Sequence, residues 1–425
     1  TSFCLSKSKK YKTVFFFSED PALGGGLVDG IRVYSEDRLD WALKRFTPAI
    51  FLFPQSGESP IRQTRLISRL MQSGIEVKLF DSVDDSLNKH LTMEVARPIE
   101  IEDLLGRKEN PVVQNLLASA VEGRRILVTG AAGSIGSQLC RRISTLGPAS
   151  LSMLDIDESG LTAMGEEIAK EGFEPRLYLG SIMDREFIEH VVDDSQADTV
   201  IHAAAYKHVT MGEICASSVV NNNIQGTFNL LEAVEKAGIQ HFIQVSTDKA
   251  VEPSNVMGAS KLWCEMIVNA FASAKPNQRF ASVRFGNVIE SRGSVIPKFK
   301  KQISAGGPVT ITHPKMQRYF MSISEAVDLV IQAAALTKGG ETFVLDMGEP
   351  HYIMDVAKSV IQLAGKTVKS DINPQGDIEI ATIGIQSGEK FEEKLFSSHE
   401  ELLPSDHPSI KISRGKPFTV KELKT

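Results

Sequence analysis

The segment at residues 129–136 constrains the fold of this chain more than any other, and it reads Thr-Gly-Ala-Ala-Gly-Ser-Ile-Gly. A run of β-type apolar residues precedes it, and a helical apolar pattern follows it. Glycines let the backbone turn tightly and approach a pyrophosphate, while the N-terminus of the following helix offers free N–H groups and a partial positive charge. A strand, a Gly-rich turn and a helix in this order predict an α/β fold, a Rossmann-like, doubly wound parallel sheet that binds a dinucleotide.

The next predicted strand, 150–155, ends on Asp155, about 20 residues after the loop. A carboxylate at this place can accept hydrogen bonds from the adenosine ribose hydroxyls and repels a 2′-phosphate, which favours NAD over NADP. The alternative is a purely structural Gly-rich turn, with Asp155 capping the next helix. Under the first interpretation, the cofactor-binding residues of this part of the chain are Gly130, Ala132, Gly133, Ser134, Ile135, Gly136, Asp155, Ile156, Asp157 and Glu158.

Composition and charge exclude several other kinds of protein. Of the 425 residues, 42% are hydrophobic and 24% are charged, with a formal net charge of −6. The ordinary hydrophobic content excludes a disordered chain, and the lack of a basic excess argues against nucleic acid as a partner. The longest apolar runs are far shorter than the ~20 residues of a membrane helix. Histidines and cysteines do not cluster in the sequence, so we expect no metal site.

Alternating strand and helix patterns divide the chain near residue 120. Before that point, short apolar runs alternate with helical stretches, which predicts a small α/β domain with a parallel sheet that lacks its first strand and glycine loop. The chain starts at Thr1, and we expect it to be part of a longer protein. The predicted domains are a truncated N-terminal α/β domain at 1–107, a linker helix at 108–123, an NAD-binding and catalytic domain with a smaller C-terminal substrate-binding part at 124–400, and an irregular surface tail at 401–425.

A pair of titratable residues follows the predicted strand at 241–246. Thr247, Asp248 and Lys249 stand at the carboxyl end of this strand, and Lys261 follows on a predicted helix. Two side chains of opposite charge at a strand end beside a cofactor can serve as an acid/base pair. The alternative is a surface salt bridge with an exposed lysine.

The Gly-x-x-Gly-x-x-Gly spacing of the loop resembles the short-chain dehydrogenase/reductase superfamily, in its extended branch that acts on nucleotide sugars. Residues 201–205, Ile-His-Ala-Ala-Ala, are similar to the fourth strand of that branch, where small residues let the cofactor pack on the backbone. Residues 223–227 are similar to its supporting helix. The chain departs from the pattern at Ser181, where the family usually has an Asp that contacts adenine. The resemblance adds Ser181, Ile182, Ala203, Ala204, Ala205, Tyr206 and Lys261 to the residues expected at the cofactor.

A second departure narrows the family. The superfamily has Tyr-x-x-x-Lys, in which Tyr deprotonates the substrate and Lys holds the ribose, but here Met257 stands at the Tyr position. The i, i+4 spacing puts Met257 and Lys261 on one helix face, and a thioether cannot take a proton. Ser-Thr-Asp-Lys-Ala at 246–250, together with Asn-Val-Met-Gly-Ala-Ser-Lys at 255–261, resembles the large, membrane-anchored bacterial UDP-N-acetylglucosamine 4,6-dehydratases of bacillosamine-type polysaccharide biosynthesis.

That resemblance implies a reaction and a role for each catalytic residue. UDP-N-acetylglucosamine (UDP-GlcNAc) would lose water to give a 4-keto-6-deoxy sugar, with retention at C5 and with NAD tightly bound and recycled. Asp248 would be the acid at the C6 oxygen and Lys249 the base at C5, with Thr247, Met257 and Lys261 beside them. Asp248, or a water relayed through Thr247, would accept the C4 hydroxyl proton. The expected substrate-binding residues are Lys207, Thr247, Asn287, Val288, Lys298, Thr310, Arg318 and Glu389.

Other interpretations stay open at this point. A UDP-sugar 4-epimerase of the same branch would return the hydride to C4, and a catalytically inactive nucleotide-sugar sensing protein would only bind. The residues expected at UDP could also be ordinary turn, helix and strand residues. From the resemblance we expect membrane helices to precede this chain in the full-length protein, which would work at the cytoplasmic face of the bacterial inner membrane. We also expect a homo-oligomer whose partner is a small-molecule substrate.

Overall fold

The structure is a computed structural model that describes residues 12–54, 65–67, 69–71, 73–80, 96–106 and 110–414. The described residues divide into two compact units. The first unit draws on Thr1–Lys108, Gln302–Val309 and Ala357–Ile380, and the second draws on Glu109–Lys301, Thr310–Val356 and Ala381–Thr425. The linear domain boundaries predicted above do not include the two internal segments that join the first unit.

The N-terminal part of the first unit holds two small sheets of mixed direction. Its elements are β1 (Phe16–Phe17), β2 (Leu27–Val28), β3 (Ile31–Tyr34), α1 (Leu39–Phe46), β4 (Ile50–Pro54), β5 (Glu76–Phe80), β6 (Arg97–Pro98) and α2 (Ile101–Leu104). β3 pairs in parallel with β1 and antiparallel with β2. β5 pairs in parallel with β4 and antiparallel with β6.

The expectation of one parallel sheet in this part of the chain is therefore corrected. Asp29 and Gly30 connect β2 to β3, and both have a positive φ, of 50° and 77°. Two consecutive positive φ values form the type I′ turn that joins the strands of a tight hairpin, so β2 must run antiparallel to β3. The Asp-Gly pair in the sequence is the signal for this hairpin.

The rest of the described chain contains sixteen further strands and eleven further α-helices. The strands are β7 (Arg125–Thr129), β8 (Ser150–Asp155), β9 (Arg176–Leu179), β10 (Thr199–His202), β11 (His241–Val245), β12 (Arg279–Arg284), β13 (Asn287–Val288), β14 (Val309–Ile311), β15 (Gln317–Arg318), β16 (Phe320–Met321), β17 (Thr342–Leu345), β18 (His351–Tyr352), β19 (Val368–Lys369), β20 (Ile378–Thr382), β21 (Glu401–Pro404) and β22 (Ile410–Arg414). The helices are α3 (Gln114–Val121), α4 (Ser134–Ser144), α5 (Glu158–Lys170), α6 (Arg185–Ser195), α7 (Val209–Ile214), α8 (Ala216–Val220), α9 (Gly226–Lys236), α10 (Val256–Ala274), α11 (Val295–Ser304), α12 (Ile323–Leu336) and α13 (Ile353–Leu363). Among the described residues, every helix is too short or too polar to cross a membrane.

A nine-stranded sheet forms the centre of the second unit. Its strand order is β21-β22-β17-β12-β11-β10-β7-β8-β9. The seven strands from β9 to β17 run parallel, with Val128 of β7 opposite Met153 of β8 and Ile201 of β10. The chain leaves β7 toward β8 and β9 on one side, and returns to β10 on the other. This order confirms the predicted Rossmann-like, doubly wound sheet, and its reversal between β7 and β10 is where such folds bind ligands.

Helices cover both faces of this sheet because its strands are apolar on both sides. In β7, Ile126 and Val128 point into a core with α3, α4, α5 and α12, whereas Leu127 points into a second core with α6, α9 and α10. All three side chains are buried. A continuous apolar run, rather than an alternating one, is the pattern of a parallel strand that is covered on both faces.

The predicted irregular tail is also corrected. β21 and β22 form an antiparallel hairpin, and β22 pairs with β17 at the edge of the main sheet. Ile410 is fully buried and Ser413 is buried, although the two point to opposite faces of the strand, whereas Lys411 is exposed. Pro404 ends β21 at the outer edge, where the missing N–H costs no ladder hydrogen bond. Residues 415–425 of the predicted tail lie outside the described residues.

Candidate active site

A cavity of about 1010 Å³ opens at the carboxyl ends of the central strands of the second unit. Its wall includes the residues that follow β7, β10 and β11, together with the start of α10 and the segment around β13. The volume is at the upper end of the ~300–1,000 Å³ that ligand pockets usually have.

Two glycines of the loop after β7 are required by close backbone approaches. Gly130 has a φ of 70°, and a Cβ added there would lie 2.6 Å from the Ala204 backbone nitrogen. A Cβ on Gly136 would collide with the carbonyl oxygen of Gly130. α4 begins at Ser134 without a side-chain cap, so its first N–H groups remain available where the loop lines the cavity. This geometry supplies what a pyrophosphate needs.

Asp155 braces this loop from the end of β8. Its Oδ2 accepts a hydrogen bond from the Ala132 backbone N–H at 2.8 Å, and its Oδ1 accepts one from the Asp157 N–H at 3.0 Å. The helix-capping role that was the alternative for Asp155 belongs to Asp157, which accepts a hydrogen bond from the Gly160 N–H at the start of α5. A carboxylate has four acceptor positions, so Asp155 retains capacity for a ribose hydroxyl.

The residues predicted at the cofactor fall into two groups. Those that line the cavity are Gly133, Ser134, Ile135, Gly136, Ala203, Ala205, Tyr206 and Lys261. Those that lie outside its lining are Gly130, Ala132, Asp155, Ile156, Asp157, Glu158, Ser181, Ile182 and Ala204. In the second group Ile182 is packed in the hydrophobic core, and the Ser181 hydroxyl accepts a hydrogen bond from the Met183 N–H.

His202 shows how the strand under the cavity is held. Its Nδ1 lies 2.7 Å from Thr129 Oγ1 and its Nε2 lies 3.0 Å from Thr227 Oγ1. Burial lowers the pKa of His202 to about 3, and the nearby Lys261 acts in the same direction. The imidazole is therefore neutral at physiological pH and joins β7 to β10 and α9 as a structural group.

Thr247, Asp248 and Lys249 form one hydrogen-bonded cluster after β11. Thr247 Oγ1 donates to Asp248 Oδ1 at 2.9 Å, and Lys249 Nζ donates to the same oxygen at 2.9 Å. Asp248 is fully buried, and the Lys249 side chain is 16% exposed. This burial argues against the alternative of a surface salt bridge. Thr247 and Lys249 line the cavity, whereas Asp248 lies behind them.

The strand is interrupted after β12, and this interruption brings the Asn287 side chain to the cluster. The apolar pattern at 280–288 predicts one continuous strand. The strand is instead interrupted at Gly286, where a Cβ would lie 2.9 Å from the Tyr319 Cβ and 3.1 Å from Asp248 Oδ2. The chain then resumes as β13, and Asn287 Oδ1 accepts a hydrogen bond from Lys249 Nζ at 3.0 Å. The residue expected at UDP thus also orients the expected base.

Met257 and Lys261 stand on the first two turns of α10, as their spacing predicts. Both line the cavity, and both are almost fully buried. Lys261 Nζ donates to the Val245 carbonyl at 2.7 Å. Burial lowers the pKa of Lys261, while the nearby Cys264 and Glu265 act in the opposite direction.

All of the residues expected at the substrate line this cavity. The Lys207 pKa is lowered by burial and by the nearby Arg292. Arg318 Nη1 donates to the Gln317 carbonyl at 2.6 Å and to the Phe391 carbonyl at 3.3 Å, and the rest of its guanidinium can serve a diphosphate. The full set is Lys207, Thr247, Asn287, Val288, Lys298, Thr310, Arg318 and Glu389.

Sequence reasoning missed two charged residues of the cavity wall. The Arg292 backbone N–H donates to Ser134 Oγ at 2.9 Å, and its guanidinium donates to the Ala132 carbonyl at the Gly-rich loop. Glu393 is a buried carboxyl on the opposite wall. No local pattern marks either residue, because each lies far along the chain from the groups it faces.

The family of the chain follows from comparison with known proteins. Residues 126–414 match the family described as polysaccharide biosynthesis protein. The chain belongs to this family. Capsular polysaccharide biosynthesis protein CapD of Staphylococcus aureus is 39% identical over 395 residues, which are 91% of this chain and 63% of CapD. The chain therefore spans less than two thirds of that relative.

Other relatives carry the names of two activities. A UDP-glucose 4-epimerase of Rickettsia bellii is 34% identical, over 67% of this chain and 80% of the epimerase. A UDP-N-acetylglucosamine 4,6-dehydratase (inverting) of Campylobacter jejuni is 30% identical, over 71% of this chain and 88% of the dehydratase. Among solved structures, Pen from Bacillus thuringiensis has a TM-score of 0.62 and 28% identity, covering 70% of this chain and 91% of Pen. The predicted placement in the extended short-chain dehydrogenase/reductase superfamily is confirmed.

Proposed function

We propose that this chain is an NAD-dependent UDP-GlcNAc 4,6-dehydratase. The observation that carries the proposal is the buried cluster of Thr247, Asp248 and Lys249, which meets a dinucleotide-type cavity beside Met257. A simple oxidation and re-reduction at C4 needs one proton acceptor. An adjacent acid and base, with no Tyr, fit a reaction that also moves a proton at C5 and a hydroxyl at C6.

The residues of the loop after β7 fit NAD. A Cβ at Gly130 or Gly136 would collide with the backbone of Ala204 or of Gly130 itself, so glycine at both positions permits the tight turn that brings the N-terminus of α4 to the cavity. When bound, NAD supplies the acceptor for the C4 hydride and the donor that returns it to C6. Lys261, which lines the cavity, would hold the nicotinamide ribose. The preference for NAD over NADP rests on Asp155.

We assign the proton steps to the cluster in this order. Thr247 Oγ1 takes the C4 hydroxyl proton and passes its own to Asp248 Oδ1, to which it is hydrogen-bonded. The resulting 4-ketone acidifies C5–H, and Lys249, which must enter this step as the neutral amine, removes that proton and keeps it until C5 is protonated again. Asp248, now protonated, supplies the proton with which the C6 hydroxyl leaves as water. Hydride return to C6 and protonation at C5 complete a net loss of one water.

We place the substrate along the residues that line the cavity. We assign the uridine diphosphate to Lys207, Lys298, Thr310 and Arg318, with Asn287, Val288 and Glu389 beside it. Arg318 suits a diphosphate because its planar fork binds two oxygens. Retention at C5, a membrane-anchored full-length protein at the cytoplasmic face of the inner membrane, and a homo-oligomer are further parts of the proposal that rest on family resemblance alone.

The test is product analysis by NMR after incubation with UDP-GlcNAc and NAD in D₂O. We expect a 4-keto-6-deoxy sugar that carries solvent deuterium at C5, and the configuration at C5 reports retention or inversion. Unchanged UDP-GlcNAc that nevertheless binds with full affinity would instead support an inactive sensing protein.

A second candidate function is favoured by the relatives named as 4-epimerases. An epimerase returns the hydride to C4, so its product keeps the mass of the substrate. The appearance of UDP-N-acetylgalactosamine in the same incubation, without loss of water, would replace the dehydratase proposal with this one.

A further inference from the structure

The segment at residues 386–394 closes the cavity next to the catalytic turn, and several hydrogen bonds fix it there. The Gly388 carbonyl accepts hydrogen bonds from Ser254 Oγ and Asn255 Nδ2, both at 3.0 Å. Lys390 Nζ donates to the Val251 carbonyl at 2.8 Å. A side chain carried by this segment is therefore held at a defined place in the wall.

Glu393 lies on this segment as a buried carboxyl, and one of its two oxygens lacks a hydrogen bond within the described part of the chain. Its side chain is only 3% exposed, and its Oε2 has no hydrogen-bond partner among the described residues. The ion pair to Lys390 is long, at 3.7 Å. Leaving a buried acceptor unsatisfied is costly, so such a group in a ligand cavity indicates a donor on the ligand.

The charged groups around Glu393 locate it along the cavity. Burial raises its pKa and Asp248 acts in the same direction, whereas Lys249, Arg318 and Lys390 lower it. Glu393 therefore lies within electrostatic reach of both the catalytic pair and the arginine assigned to the diphosphate. A nucleotide sugar that spans these two places has its hexose ring between them.

We propose that Glu393 accepts a hydrogen bond from a donor on the hexose ring and thereby recognises the sugar rather than the nucleotide. The inference rests on the proposed function for the identity of the sugar. The donors available between the phosphate at C1 and the reacting C4 are the acetamido N–H and the C3 hydroxyl. Either would satisfy the carboxyl when the substrate enters.

The test compares UDP-GlcNAc with UDP by isothermal titration calorimetry on the full chain with NAD present. Replacing Glu393→Leu removes the acceptor, and we expect UDP-GlcNAc to bind about tenfold or more weakly, because a hydrogen bond to a charged group is lost. UDP should bind as before. Glu393→Gln keeps an acceptor oxygen and should recover part of the affinity. Glu392→Gln, at the exposed neighbouring position, is the matched control.

Each outcome separates this inference from the proposed function. If the unchanged chain binds UDP but not UDP-GlcNAc, the proposed substrate is wrong. If it binds both, and Glu393→Leu weakens both equally or neither, the assignment of Glu393 to the sugar is overturned. Should the Leu variant fail to fold, a Gln variant that binds UDP-GlcNAc with full affinity and gives an unchanged KM would overturn it as well.

Discussion

At the scale of single residues, Lys249 is the group whose role the structure defines most narrowly. Its Nζ donates to both Asp248 and Asn287, and its side chain is mostly buried. The Lys249→Ala variant should lose turnover by about 10²–10⁴-fold, the usual contribution of a positioned base. NAD binding should survive, since Lys261 and the glycine loop are untouched. Product formation and NAD affinity are the measurements, with Lys236→Ala on the surface as control; near-normal turnover would refute the assigned base.

Asn287 can be assigned two roles, orientation of Lys249 and contact to UDP, and the sequence alone does not separate them. The motif around it predicts a contact to UDP, but the structure also shows its Oδ1 accepting from Lys249. If its main role is to orient the lysine, Asn287→Ala should lower kcat by about tenfold while KM changes little, since one hydrogen bond to a charged group is lost. A rise in KM and in the Kd of UDP at constant kcat would return Asn287 to substrate binding alone.

Local signals account for the part of the site that could be predicted. Gly130, Asp155, Thr247 and Lys261 each belong to a short motif whose spacing implies a strand end or a helix face. Glu393 has no such motif, because it is singled out by its burial near Asp248, Lys249 and Arg318, which lie far from it in the sequence. The partner of Asp155 was missed for a similar reason, since a loop N–H is not visible in a residue pattern.

At the scale of elements, strands that carry their own apolar pattern were predicted well. β8 has the predicted bounds of 150–155, and β11 ends at Val245, one residue before the end of the strand predicted at 241–246. β22 was missed because its burial comes from pairing with β17, and the prolines nearby favour an irregular interpretation. The break at Gly286 was also missed, since only the approach of Tyr319 and Asp248 makes a glycine necessary there.

A buried ion cluster attaches the β21–β22 hairpin to the sheet. Arg284 on β12 donates to Glu265 on α10 at 2.6 Å and contacts Glu400, just before β21, at 2.8 Å. Burial alone would raise the pKa of Glu400, but the Arg284 guanidinium outweighs it and the pKa of Glu400 is lowered. The hairpin is thus held by charge as well as by the apolar contacts of Ile410.

This cluster predicts a pH-dependent stability. A carboxyl with a lowered folded pKa stabilises the protein above its unfolded pKa of about 4.3, and that contribution disappears as the pH falls through the folded pKa. Glu400→Gln should therefore cost about 1–3 kcal/mol at pH 7 and less at pH 3.5, which is below the unfolded pKa and where the contribution of the ionised carboxyl has begun to decline. Thermal unfolding at the two pH values measures the difference, with exposed Glu401→Gln as control. A difference that does not shrink at acid pH would contradict the assignment.

At the scale of the whole molecule, the division into units could not be predicted from the order of residues. Residues 302–309 and 357–380 join the first unit although they are distant in sequence from its N-terminal part. Which segments join a unit depends on which surfaces pack together. A single boundary near residue 120 cannot describe a unit that includes two later segments of the chain. The cavity, by contrast, is lined entirely by residues of the second unit. Most of its charged residues could therefore be predicted from the motifs of that unit.

The preference for NAD over NADP can be measured on the whole protein, through its thermal stability. A ligand that binds only the folded state stabilises it by about 2.7 kcal/mol when present at a hundred times its Kd. NAD should therefore raise the Tm of the chain, because the loop after β7 and the start of α4 exist only when the sheet is formed. NADP should raise it much less, since the Asp155 carboxylate repels a 2′-phosphate. Differential scanning fluorimetry with equal concentrations of the two dinucleotides measures this directly. An equal rise would mean that Asp155, whose oxygens accept from Ala132 and Asp157, only braces the loop and does not select the cofactor.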